Sequence, residues 1–311
     1  MNCSSTTKAG KQCSRKAVNS GMCNQHLKCF NKQASIIPTI TITFGDAAEN
    51  HKGMEILGER SDEGFTLKDL QEAKERFSEE NYEAQIYHLN EVLNDINYKE
   101  YSKNEAERNL LRLKVEEADD AYILIVRNGV NAILEREGMT IEEMKDDLLK
   151  EDWDKKAIFD GKVLNKRARH NLCFADNDQE PDYENGKGRI ISFGSLKSLN
   201  TIRELLPEYI GEKAGQLLAE GNLYYDPSKC GIGFHGDSER KKVVAVRIGQ
   251  TMCLQYKWHL GAKQVSNVIN FELNNGDLYV MSEKAVGYDW KRRKVLTLRH
   301  AAGCSKYTIN V

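Results

Sequence analysis

Two sets of residues in this 311-residue chain have the types and spacing to hold a metal. The first is His235-Gly236-Asp237, joined far downstream by His300 in the run Leu298-Arg299-His300-Ala301-Ala302-Gly303. Two imidazoles and one carboxylate on one face of an ion leave three positions open. Iron(II) held that way can take up a co-substrate and dioxygen together. His300 is the expected third ligand, and His259 is the other histidine after Asp237. The second set is Cys3, Cys13, Cys23 and His26, spaced C-x9-C-x9-C-x2-H. Four such ligands close together suit tetrahedral zinc(II), with Cys29 as an alternative fourth. A segment this short buries too little apolar surface to fold alone, so the metal would have to supply its folding energy.

The elements that must position the histidines read as strands. Val243 to Ile248, Thr251 to Trp258, Val268 to Leu273, Asp277 to Met281, Val295 to His300 and Tyr307 to Val311 are short apolar or alternating runs. Met252, Leu254, Tyr256 and Trp258 fall on one face of a strand. Asn275-Gly276 is a hairpin-turn signal and Gly249-Gln250 a second tight turn. This half predicts a β-sandwich or jelly roll, whose ligand-bearing strands can point into one open mouth. The first half is mixed and mostly helical. Thr66 and Thr140 open capped helices, Leu67, Leu70, Ala73 and Phe77 share a helical face, and Ile36 to Gly45 alternates like a strand. The expected class is α+β. Its parts are a zinc module over 1–34, a helical and strand support region over 35–160, and a catalytic core over 161–311.

Residues 161–311 resemble the AlkB-like iron(II)/2-oxoglutarate-dependent dioxygenases. The resemblance is carried by Asn222-Leu223-Tyr224, a loop, and then Gly233-Phe234-His235-Gly236-Asp237, with Gly276 to Met281 as the strand before the distal histidine. It implies a double-stranded β-helix, iron(II) on His235, Asp237 and His300, and 2-oxoglutarate on Asn222 and Tyr224. Two departures stand out. Tyr288 to Lys294 intervenes before His300, and the family's final strand with two alternating arginines is represented only by Lys306 to Val311. Lys306 is then the implied anchor of the far carboxylate, as a point charge without bidentate geometry. Arg299, adjacent to His300, should face the other way. The implied activity is oxidation of a substrate C–H group, with conversion of the keto acid to succinate and carbon dioxide.

The resemblance places Asn165 to Phe174 where such enzymes cover the substrate base. Arg167, Arg169, His170 and Phe174 combine cations with rings, the mixture that grips phosphates and stacks on bases. Trp290 with Lys291 to Lys294 forms a second such cluster. The expectation is demethylation or hydroxylation of a DNA or RNA base, as in DNA repair. A protein side-chain hydroxylase is the rival, and a non-catalytic nucleic-acid-binding protein with the same fold is a third reading.

Charge and composition frame these expectations. Residues 1–45 carry six cations and no acid, while the remainder holds 39 Lys and Arg against 47 Asp and Glu. A cationic module tethered to an acidic body reads as a phosphate-binding or partner-docking arm. Its spacing also resembles small zinc modules on proteins of large DNA viruses. Four cysteines precede residue 30 and four are scattered later, which is metal usage plus buried thiols in a reducing compartment. There is no signal-peptide apolar region near Met1 and no run long enough to span a membrane, so the expected location is intracellular.

Overall fold

The computed structural model describes residues 3–7, 10–18, 21–27 and 36–309. The chain divides into two compact units, Met1–Pro38 and Thr39–Val311. In the larger unit the first elements are β1 (Thr39–Gly45), β2 (Ala47–Glu49), β3 (Ile56–Gly58), helix α1 (Leu67–Glu79) and β4 (Ala84–His88). Helix α2 (Glu105–Glu116), β5 (Tyr122–Val126), α3 (Gly129–Glu135) and α4 (Ile141–Lys150) follow. Next come β6 (Lys156–Phe159), β7 (Lys162–Asn165), β8 (His170–Ala175), β9 (Ile190–Ser192), α5 (Lys197–Ile210) and β10 (Leu218–Tyr224). The chain closes with β11 (Gly231–His235), β12 (Val243–Gly249), β13 (Met252–Leu260), β14 (Lys263–Gln264), β15 (Ile269–Leu273), β16 (Leu278–Met281), a short α6 (Glu283–Val286) and β17 (Leu296–Gly303).

Two sheets dominate this α+β unit. The larger runs β4-β5-β16-β12-β1-β10-β8-β9, and the smaller runs β11-β17-β13-β14 with β15 also on β13. Strand alternation gives the larger sheet two apolar faces. Ile40, Ile42, Phe44, Val244 and Val246 pack with Leu70 and Phe77 of α1, Ile133 of α3 and Leu206 of α5. On the other face Val243, Ala245, Tyr279 and Met281 meet Leu254, Tyr256, Trp258 and Leu298 of the smaller sheet. The order of layers is therefore helices, large sheet, small sheet. Both threonine-capped helices form as their sequences dictate. The Thr66 hydroxyl accepts from the Asp69 N–H and the Thr140 hydroxyl from the Glu143 N–H, with each acidic side chain returning the bond to its cap.

Three expectations change. Residues 304–309 form a turn and bend instead of the strand expected over 307–311, whose last two residues lie outside the described ones. The place between β10 and β12 is filled by β1, from the other end of the unit. The turns at Gly249-Gln250 and Asn275-Gly276 do reverse the chain, with Gly249 at φ 94° and Gly276 at φ 88°. They do not make hairpins, because the flanking strands belong to different sheets: β12 pairs with β1 and β16, while β13 pairs with β15 and β17. A turn signal specifies reversal, and sheet pairing decides where the returning strand goes. Finally, segment 35–160 contributes β1, β4 and β5 to the same sheet as β10, β12 and β16, so it builds the core sheet as well as supporting it.

Candidate functional site

His235 ends β11, and His300 lies in β17 directly across from it in the antiparallel register. The same register places His300 opposite Tyr256 of β13. Strand alternation then sends Leu296, Leu298 and His300 inward with Tyr256 and Trp258, and turns His259 and Arg299 the other way. This decides between the two histidines: His235, Asp237 and His300 present ligand atoms within 4.8 Å of one another. His235 Nε2 lies 3.4 Å and His300 Nε2 3.7 Å from the same Asp237 Oδ1. Gly236 permits the approach. A Cβ there would sit 2.2 Å from the Gly287 carbonyl oxygen and 2.8 Å from Trp290 Cβ. The Asp237 N–H then donates to the Val286 carbonyl at 3.1 Å, fixing the carboxylate at the strand end.

The electrostatics suit a ligand set. His235 Nδ1 is 2.8 Å from the Gly233 carbonyl, which it meets as an N–H donor, leaving Nε2 free to coordinate. Burial, with the neighbouring His235, pushes His300 down to about 4, so it is a neutral imidazole at physiological pH. Burial raises the Asp237 carboxyl, but His300, Arg240 and His235 outweigh it and hold the group below the ordinary carboxylate range. Arg240 is the second support. Its Nε is 3.8 Å from Asp237 Oδ2, and its Nη2 is 2.6 Å from Glu220 and 2.9 Å from Glu239. Two imidazoles and an ionised carboxylate converging on one point fit a divalent ion with an open face.

The three residues line a cavity of about 710 Å³, of the size that holds a small ligand. Asn222 and Tyr224 line it too, as expected. The Asn222 amide is committed to its neighbours: it accepts from Arg169 Nε and from Asn171 Nδ2 at 2.8 Å, and donates to Glu220 at 3.0 Å. That bonding continues away from the cavity. Asn171 accepts from Lys166 Nζ at 3.0 Å, and Lys166 also donates to Asn50 at 2.7 Å. Asn50 in turn donates to the buried Asp154 at 2.8 Å.

The other expected residues are scattered. Arg169 lines the cavity, and so do Trp290 and Lys291. Arg167 is exposed, and its carbonyl accepts from the Tyr225 hydroxyl at 2.8 Å. His170 stacks on Tyr225 with ring centroids 4.6 Å apart, and neither lines the cavity. Phe174 is fully buried against Phe193 under the helices, because its parity in β8 matches Leu172. It is a core residue and does not reach a substrate at this cavity. Lys306 is exposed in the terminal turn beside the Tyr307 ring and does not line the cavity. Sequence reasoning missed Arg247, Arg240 and Thr41, all on the cavity wall. Arg247 had a signal: it is the lone charge in the otherwise apolar Val243–Gly249 strand.

The N-terminal unit holds the second candidate metal site. Cys3, Cys13, Cys23 and His26 offer ligand atoms within 4.8 Å of one another, a set that fits zinc. His26 Nδ1 is 3.2 Å from Cys3 Sγ and 3.5 Å from Cys23 Sγ, and Cys13 Sγ is 3.9 Å from Cys23 Sγ. Desolvation raises the Cys3 thiol, but the Cys23 N–H and His26 lower it further, to about 6. A thiol so placed loses its proton readily to a cation. Cys29 lies outside the described residues. No helix among the described residues is long and apolar enough to cross a membrane.

No family model matches the chain. A protein of Acanthamoeba polyphaga mimivirus, described as uncharacterized, is 43% identical over 269 residues, covering 86% of this chain and 97% of that protein. Identity at that level across nearly the whole relative requires a shared fold. The chain belongs to the same family as this mimivirus protein.

Proposed function

We propose that the protein is an iron(II)/2-oxoglutarate-dependent dioxygenase that oxidises a nucleic-acid base. The observation that carries the reading is the convergence of His235, Asp237 and His300 on one point of the cavity wall. The strand path supports it. From β10 the chain alternates between sheets: β10 large, β11 small, β12 large, β13 to β15 small, β16 large, β17 small. Such alternation is that of a jelly roll, here with β1 supplying the strand beside β10 and β12.

In this reading His235, Asp237 and His300 hold iron(II). The Gly233 carbonyl fixes the His235 tautomer, and Arg240 keeps Asp237 ionised and oriented. The bound iron, with 2-oxoglutarate and dioxygen, supplies oxidation of a substrate C–H group. The chain's own contribution is placement. Tyr256 and the apolar wall behind His300 exclude water from one side, and the open side of the cavity admits the substrate. Arg169, Lys52, Lys291 and Trp290 sit around that cavity, where cations meet phosphates and an indole can stack on a base. In an otherwise acidic body, that grouping favours a polyanionic substrate. The cationic N-terminal module adds an arm for the same polymer, through Lys11, Arg15 and Lys16.

The test is direct. Anaerobic addition of iron(II) and 2-oxoglutarate should produce a visible charge-transfer absorption that His235→Ala and Asp237→Ala abolish. With oxygen, succinate should form, and mass spectrometry should show loss or oxidation of methyl groups on methylated oligonucleotides. Succinate production unchanged in both variants would refute the metal site. Oxidised peptides with untouched oligonucleotides would transfer the activity to protein side chains.

A further inference from the structure

We infer that Arg247, with Thr41 beside it, anchors the far carboxylate of the keto acid in place of the cation expected at the C-terminus. The inference rests on the triad being an iron(II)/2-oxoglutarate site. Arg247 sits in the middle of β12 and is 1% exposed, yet its Nε and Nη1 have no hydrogen-bond partner among the described residues. No carboxylate among the described residues lies within ion-pair distance of it, although Asp and Glu pair with most other buried cations of the fold, Arg240 and Lys284 among them. A guanidinium buried without a counter-charge is strongly unfavourable, and the fold retains it on a cavity wall where an anion can arrive.

The neighbour on β1 points the same way. Thr41 is the cross-strand partner of Arg247 on one side and of Asn222 on the other. It is 5% exposed, lines the cavity, and its Oγ1 also lacks a partner. Tyr224 and Tyr279 line the same cavity, and Arg247 acts electrostatically on both. The planar fork of arginine matches a carboxylate bidentately, and the threonine hydroxyl adds a donor. The topology explains why the cation moved. The strand between β10 and β12 is the N-terminal β1, which carries threonines there, so the charge comes from the adjacent strand. Such a site selects a keto acid with a second carboxylate over one that ends in a methyl group.

The experiment uses the full chain loaded with manganese(II), a redox-inert stand-in that permits binding without turnover. Isothermal titration compares 2-oxoglutarate with 2-oxopentanoate, which has a methyl group where the far carboxylate would be. The wild-type protein should bind 2-oxoglutarate about 100-fold more tightly, the scale of a desolvated charge-assisted pair. Arg247→Met should remove that advantage, leaving 2-oxopentanoate and manganese(II) binding unchanged, so that the ligand and protein deletions are not additive. Thr41→Val should lose a smaller part, Arg247→Lys should keep some, and Lys306→Met should change nothing. Thermal melting checks that the variants fold, and the ligand comparison on the wild type needs no variant. If wild-type protein takes up neither keto acid, the dioxygenase reading fails and this assignment with it. If it prefers 2-oxoglutarate but Arg247→Met keeps the preference, or Lys306→Met loses it, the Arg247 assignment alone is overturned.

Discussion

In the N-terminal unit every candidate ligand comes from the stretch Cys3 to His26, and among the described residues the local cluster is only Cys3, Cys13 and Cys23 with Met22. In the body His235 and His300 lie far apart in sequence and meet because β11 pairs with β17, over a core that includes Leu254, Tyr256, Trp258 and Leu298. The contrast separates two ways to make a metal site. In the first an ion would organise the chain. In the second the chain is organised beforehand, and an ion would fill a place already prepared. Removing metal should therefore have opposite consequences for structure in the two units.

The largest expected effect is on the N-terminal unit. A strong chelator, or Cys13→Ser, should unfold residues 1–38, since structural zinc contributes roughly 10–16 kcal/mol to the folding of small modules. Limited proteolysis of the full chain would read this as rapid loss of the N-terminus with the Thr39–Val311 body left intact. Equal protection with and without chelator would remove the contrast. The matching change in the body, His300→Ala, should abolish divalent-metal binding there while leaving a cooperative melt, because Tyr256 and Trp258 continue to pack.

Next in size is Gly236→Ala. Its Cβ would meet the Gly287 carbonyl oxygen at 2.2 Å and Trp290 Cβ at 2.8 Å, neither of which is the free end of a flexible side chain. A cost of about 1–3 kcal/mol, typical of forced overpacking, should lower the melting temperature and impair metal binding together. A thermal melt like wild type would show that the body's site is not preorganised by this close approach. Thr140→Ala, which removes the cap of α4, should cost about 1 kcal/mol and leave both metal sites unaffected.

The smallest effect is a pH slope. Burial, with Glu239 and Glu220 nearby, raises Glu49 from 4.5 to about 7, against the Gly53 N–H that lowers it. Between those values the folded chain holds a proton that the unfolded chain has released, so stability falls as pH rises through the window. Glu49→Gln should flatten that part of the stability curve, with its gain over wild type growing from about pH 4.5 to 7 and constant above. Parallel curves for the two proteins in chemical denaturation would contradict the burial of this carboxyl in a prepared cavity.

Local features were legible in the sequence wherever the cause is local. Capping boxes at Thr66 and Thr140 set helix starts, and period-two runs set the strands that hold His300 and Arg247. The spacing of Cys3, Cys13, Cys23 and His26 specified a metal-sized cluster. The alternation of β17 fixed that Arg299 and His300 face opposite ways. Pairing was not legible. Nothing near Thr39 says that β1 inserts between β10 and β12, and nothing near Asn275-Gly276 says that its flanking strands part company. Phe174 and Lys306 were misassigned for that reason: the face of β8 and the turn that stands over 304–309 in place of a strand are consequences of the whole sheet. The sequence alone determined which residue types could bind metal and which faces of each strand are apolar, because those follow from neighbours along the chain. Only the tertiary structure decided which strands lie side by side, and so which histidine completes the triad and which arginine is buried without a partner. Those depend on long-range burial and hydrogen-bond pairing, which no short segment encodes.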